Sequence, residues 1–291
     1  MTIEFMLLAD TRCGIAEGPV WDDRRKLLFF VDILAPAVHA VRLDGSDLRS
    51  WKMPSRTGSI GLGESGRLIV ALERALAVLD PDTGTLSPLA DLPDEPASNR
   101  LNDGKVGPDG AFWVGSMDDR PEKEPVASLY RIDGRGRVTQ PIAGGLIISN
   151  GLAWSPDGGT MFHSDSRGPW IDRYAFEPVS GRMSDRTRIA SGIAEETGRP
   201  DGAACDSRGR YWSAGVTAGK LNVWSRDGAI EESYLTPVPA PTMPCFCGDD
   251  LRTLVVTSLR RDGCEASSHS GSVFIGHAPV AGAPVARWAD V

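Results

Sequence analysis

The stretch Pro108-Asp109-Gly110-Ala111-Phe112-Trp113-Val114 is a tight turn running directly into a short apolar strand. Pro fixes φ, Asp bonds its own backbone and Gly tolerates positive φ, which together make a reversal. The unit recurs at Asp22 to Phe30, Glu64 to Val70, Pro156 to Phe162, Asp206 to Trp212 and Gly248 to Val256, spaced by roughly 40–50 residues. Between these lies a second unit, an alternating strand ending in another turn. It reads Val38 to Gly45, Leu76 to Pro81, Leu129 to Gly134, Ile171 to Phe176, Leu221 to Gly228 and Ser272 to Gly276. Each period therefore holds at least three strand-length segments joined by hairpin turns. No stretch keeps a helical period beyond a turn or two.

A repeat of this length with several strands is the mark of propeller blades. One blade cannot bury both of its faces, whereas stacking it between neighbours does, and closing the ring leaves only short edges. Six periods in 291 residues predict an all-β, six-bladed β-propeller of four-stranded blades, with residues 1–291 forming one domain. A β-sandwich, the rival architecture, does not need repeats in register. The 33 Gly and 21 Pro suit so many turns and disfavour a helical bundle.

Net charge is −8, which disfavours nucleic acid and anionic membrane surfaces as partners. No apolar run approaches the ~20 residues of a membrane span. Met1 to Asp10 lacks a cationic start, so we expect no signal peptide and a cytoplasmic protein. The five cysteines (Cys13, Cys205, Cys245, Cys247 and Cys264) are scattered, and read as free, packed thiols rather than a disulfide set. Cys245 and Cys247 have no second pair or nearby His to make a zinc site. No assembly signal stands out, and a monomer is expected.

In a ring of like blades, equivalent positions lie at equal heights around one axis. Six residues before the turn residues Asp23, Glu64, Pro108, Pro156, Ser207 and Asp249 stand Glu17, Gly58, Asn102, Asn150, Asp201 and Met243. Four of these are short oxygen donors. Each Asn-Gly or Asp-Gly string alone is an ordinary turn; together, on the strand nearest the axis, they converge on the mouth of the central channel. Two carboxylates and two amides gathered there need a counter-charge, and a divalent cation supplies it. The donors are hard oxygens, which suits Ca²⁺, Mg²⁺ or Mn²⁺ and disfavours a dedicated thiolate or imidazole zinc site. Loosely selective oxygen sites also take Zn²⁺ or Fe²⁺. Arg100 stands two residues before Asn102, so in a strand both point the same way, toward the mouth.

At these residues the chain resembles the senescence-marker-protein (regucalcin), gluconolactonase and luciferin-regenerating-enzyme-like propellers. The carriers are Ala16-Glu17-Gly18-Pro19-Val20-Trp21, Arg100 to Lys105, Trp113 to Met117, Ser149 to Ser155 and Arg199 to Gly202, with Pro244-Cys245-Phe246 also similar. The resemblance implies one divalent cation, Ca²⁺ foremost, on Glu17, Asn150 and Asp201. It implies Asp201 as general base, with Arg100 and Asn102 contacting substrate. It implies hydrolysis of a sugar-acid lactone (glucono-, xylono- or arabinonolactone); a related branch hydrolyses organophosphates. Animal relatives carry a substrate-contacting Glu just after the Gly-Ser/Thr-Met block. Here the stretch reads Met117-Asp118-Asp119-Arg120, which makes Asp119 and Arg120 the substrate-binding candidates and looks more like a bacterial pentonolactone branch.

Other constellations are weaker. Gly58 to Gly63 precedes no helix pattern, so it is no phosphate loop. His163 beside Ser164-Asp165-Ser166 lacks the elbow of a serine hydrolase and reads as structural. Trp113, Trp154 and Trp212 read as inter-blade packing. Three functions follow in order: a metal-dependent lactonase, an organophosphate or aryl-ester hydrolase at the same metal, and a non-catalytic calcium-binding propeller.

Overall fold

A computed structural model describes residues 2–260 and 269–290. Its strands form six four-stranded antiparallel sheets. The inner strands are Ala16–Asp22, Ser59–Leu62, Asn99–Val106, Ser149–Trp154, Pro200–Cys205 and Pro241–Cys247, for blades 1 to 6. Each inner strand touches those of the blades before and after it, and the sixth touches the first, so the ring closes. Blade 6 takes its outer strand from the other end of the chain: Met6–Ala9 pairs with Val273–His277.

The turns behave as the sequence reads. Gly110 and Gly158 hold positive φ in Pro-Asp-Gly turns, and their N–H groups bond back to Gly107 and Ser155. The middle strands are apolar on both faces because each blade lies between two others; Leu27–Asp32, Leu68–Ala71 and Phe112–Asp118 are buried throughout. The seams are apolar clusters shared by neighbouring blades. Trp113 of blade 3 meets Trp154 and Phe176 of blade 4 edge-on, and Trp212 of blade 5 meets Phe246 of blade 6 at 5.4 Å.

The outer strands are the polar members. Arg182–Ser191 is mostly exposed and pairs with Trp170–Glu177 through an irregular register. The C-terminal segment then straps one end of the wheel. Ala281 accepts from Ser207, Gly282 donates to Leu251, Trp288 exchanges bonds with Leu62 and Glu64, and Ala289 donates to Gly110. Arg287 reaches Asp22 and Asp23 of blade 1. We call this the rear; the opposite end is open.

Candidate active site

Five of the six inner strands slip register near the middle, between Glu17 and Val20, Leu101 and Gly104, Asn150 and Ala153, Pro200 and Ala203, and Pro241 and Pro244. The inner strand of blade 2 pairs regularly. A bulge bends the strand and re-aims its side chains. It frees the front ends of these strands to turn donors toward the axis. Gly151 follows Asn150 with φ +64°, and a Cβ there would stand 2.1 Å from the Tyr211 hydroxyl. Only glycine fits the bend that places Asn150.

The front ends surround an open cavity of ≈ 300 Å³. Glu17, Asn102, Asn150, Asp201 and Arg100 all line it, so the four donors and the arginine read from the sequence do converge. Their amides are tightly ordered. Arg100 Nη1 donates to Asn102 Oδ1 at 2.9 Å, and Asn102 Nδ2 donates to Asn150 Oδ1 at 3.2 Å. Asn150 Nδ2 donates to Ser166 Oγ at 2.7 Å, which donates to the Pro200 carbonyl at 2.6 Å. Ser166 thus fixes which face of the Asn150 amide is presented.

The acids are under electrostatic pressure. Burial raises the Glu17 carboxyl well above its usual range, and Asp201 and Asp103 add repulsion. Burial and the charge of Asp103 push Asp201 up to about 8. Asp103 itself is raised by burial, opposed by Lys105. Its Oδ2 accepts from the Leu152 N–H, while Oδ1 is buried with no hydrogen-bond partner among the described residues. Three crowded acids, an orphaned oxygen and fixed amide donors fit a hard dication. Carboxylates of the site alone do not make a ligand triad: no three His, Cys, Asp or Glu side chains are grouped to hold an ion among the described residues. An ion here would need an amide oxygen such as that of Asn150 beside the carboxylates.

Arg100 is buried, which lowers it to about 10, still charged at neutral pH. Asp119 does not line the cavity but stands behind Arg100, 3.7 Å from Nε, and also pairs with Arg56. Arg120 lies off the cavity wall. Its Nε and Nη2 grip Asp118 and its Nη2 reaches Glu124 at 2.9 Å.

Four polar lining residues are not assigned to the site by the sequence: Asp103, Lys123, Ser166 and Arg199. Arg199 was findable, since it precedes Asp201 by two, as Arg100 precedes Asn102. Lys123 and Ser166 come from loops outside the register. His163 is buried with Nε2 on Ser149 Oγ, and burial lowers it to about 4, as a structural histidine. Cys13, Cys205, Cys245 and Cys247 are buried free thiols, and Cys264 lies outside the described residues.

The chain is a six-bladed β-propeller with an open, oxygen-lined cavity at the front ends of its inner strands. Residues 15–260 match the SMP-30/gluconolactonase/LRE-like model, and the chain belongs to that family. A 6-deoxy-6-sulfogluconolactonase of Pseudomonas putida is 38% identical over 250 residues, covering 85% of this chain and 84% of the relative. An L-arabinolactonase of Azospirillum brasilense is 31% identical, covering 97% and 95%. Among solved structures, a calcium-binding regucalcin of Agrobacterium tumefaciens superposes with a TM-score of 0.89 at 25% identity over 99% of this chain and 98% of that one.

Proposed function

We propose that this protein hydrolyses sugar-acid lactones with one divalent cation held by Glu17, Asn150 and Asp201. The observation carrying this reading is the meeting, at one open mouth, of two mutually repelling buried acids, an oriented amide and a buried guanidinium. The relatives' names, a sulfogluconolactonase and an arabinolactonase, support the reaction class.

A lactone is a cyclic ester. Water's oxygen bonds to the carbonyl carbon, the ring C–O bond breaks, and the ring oxygen leaves with a proton. Glu17, Asn150 and Asp201 would hold a divalent cation, which would supply Lewis acidity toward the lactone carbonyl. Asp201 accepts the proton of the attacking water and returns it to the ring oxygen. Arg100 donates to the carbonyl or an adjacent hydroxyl, steadied from behind by Asp119. Asn102 and Ser166 hold Asn150 in place. Arg120, turned onto Asp118 and Glu124, takes no direct part. Oxygen ligation favours Ca²⁺, with Mg²⁺, Mn²⁺, Zn²⁺ and Fe²⁺ as the ions to compare.

The test is acid release from a lactone panel in a pH-stat, with EDTA and with each ion restored. We expect turnover that EDTA abolishes and a divalent ion restores. Failure on every lactone in the presence of every ion, with a phosphotriester or aryl ester turned over instead, would move the protein to the organophosphatase branch.

A further inference from the structure

The inner strand of blade 6 carries two thiols, Cys245 and Cys247, that the front site does not use. The register between them is regular, with Cys245 opposite Val255 and Cys247 opposite Thr253. Strand alternation therefore turns both side chains to one face. Their sulfurs stand 3.7 Å apart, the Cys247 thiol donating to Cys245 Sγ. No three His, Cys, Asp or Glu side chains are grouped to hold an ion among the described residues, so the pair is not a metal centre.

The two thiols differ in access. Cys247 is fully buried, whereas Cys245 lines the rear cavity beside Lys105. That cavity, of ≈ 80 Å³, has a wall that runs out to Pro156, Pro284 and Val285, which are exposed. One water needs about 10–15 Å³ of such space, so hydrogen peroxide fits. Cys245 is also the described thiol best held as a thiolate. The hydrogen bond from Cys247 lowers its pKa against burial, and the charge of Lys105 acts the same way. Burial raises Cys13, Cys205 and Cys247 instead. An ionisable thiol on a cavity wall, with a second thiol behind it, is the arrangement of an oxidisable pair.

Bridging the pair brings the sulfurs to about 2.05 Å. Strand residues two apart have Cα atoms about 6.7 Å apart, near the top of the range a disulfide spans. The bridge is therefore strained and readily reduced.

We propose that Cys245 and Cys247 form a reversible oxidation site for hydrogen peroxide entering the rear cavity, Cys245 as the attacking thiol and Cys247 as the resolving one. The Cys245 thiolate attacks a peroxide oxygen. An S–O bond forms, the O–O bond breaks, and the departing hydroxide takes up the proton lost by Cys245. The Cys247 sulfur then attacks the sulfenic sulfur. The S–S bond forms, the S–O bond breaks, and hydroxide leaves with the proton of Cys247. Two thiols lose two electrons, and one peroxide is reduced to two waters.

The test treats the reduced, folded protein with a modest excess of hydrogen peroxide, then removes the peroxide. The protein is blocked with N-ethylmaleimide in denaturant and digested with trypsin. Both cysteines fall on one peptide, residues 227–252, which has no internal Lys or Arg. That peptide is expected to lose two hydrogens and take up no maleimide. Dithiothreitol given before blocking restores two adducts. In Cys247→Ser the oxidation stops at a sulfenic acid on Cys245, which dimedone captures. In Cys245→Ser the thiol of Cys247 survives the same treatment. The wild-type peptide decides the matter even if a variant fails to fold. Both thiols alkylated after peroxide, a sulfinic acid on Cys245 beside an unchanged Cys247, or a bridge from Cys245 to Cys205 overturns the inference. Each of these results leaves the lactonase reading intact.

Discussion

The same inner strands build two unlike ends of one channel. At the front they present Glu17, Asn102, Asn150 and Asp201 around an open cavity. A few residues on, past the bulges, they present Pro19, Val106, Ala153 and Cys205 around a smaller rear cavity of ≈ 80 Å³, walled also by Ala283 to Ala286 of the C-terminal strap. Lys105 lies between the two, with its Nζ on the Ala203 carbonyl. Its buried charge opposes the raised pKa of Asp103. The rear is covered by the chain's own backbone and packed with apolar groups, thiols and one satisfied cation. The front is left open, with acids that repel each other. Register slips in the backbone and residue type together divide the two, since blade 6 slips as well but carries Met243 at the donor position. Blade 2 has no slip and no donor: its Gly58 lies against the blade 3 backbone, where a Cβ would stand 2.6 Å from the carbonyls of Leu101 and Asn102.

If chemistry belongs to the front alone, substitutions there dominate. Asp201→Asn removes the base and a charged ligand, and kcat/KM falls by about 10²–10⁴-fold in a steady-state assay on the best lactone. Ser166→Ala touches neither substrate nor cation in this account. It releases the Asn150 amide, so cation affinity measured by calorimetry weakens about 10–100-fold, the size expected when a ligand loses its orienting partner.

The pH dependence of stability isolates the acid cluster. In the cation-free fold Asp201 loses its proton at about 8, against 3.8 ordinarily, so the folded state holds more protons than the unfolded chain across that window. Stability therefore falls as pH rises through it. His163, held neutral down to about 4, works in the opposite sense, but only below its ordinary 6.5. Between pH 6.5 and 8 the melting temperature of EDTA-treated protein should fall, fall less steeply in Asp201→Asn, where Glu17 and Asp103 still carry raised pKa values, and recover when a divalent cation is added.

Smaller effects test the bulge and the rear. Gly151→Ala forces a Cβ against the Tyr211 and Ser164 hydroxyls at a positive-φ position, and should cost about 1–3 kcal/mol in denaturant unfolding. Cys245→Ala, in the wall of the rear cavity, should lower stability by about 1 kcal/mol and leave lactone turnover within about twofold. A rear substitution with a front-sized effect on turnover would break the division between the two ends.

Much of the wheel was legible before any coordinates. The Pro-Asp-Gly turns and the alternating strands after them carry local signals, and both were placed. Counting back from those turns also found Glu17, Asn102, Asn150 and Asp201, because equal offsets in like blades become equal heights. The outer strands carried less signal: Arg182–Ser191 faces solvent and has no apolar alternation to read. The pairing of Met6–Ala9 with blade 6 and the strap around Trp288 join residues more than 200 apart, beyond any local pattern. Arg120 shows a further limit. Its neighbours in the chain do not reveal that it pairs with Asp118 and Glu124. Lys123 has the converse history, since nothing around it in the chain marks it, yet the loop brings it to the cavity wall.

The most direct test is anomalous difference density from a crystal of the protein soaked in Mn²⁺. One peak is expected on the channel axis at the open front, within about 2.0–2.6 Å of oxygens from Glu17, Asn150 and Asp201 together. A peak elsewhere, or an ion held without all three, would contradict it.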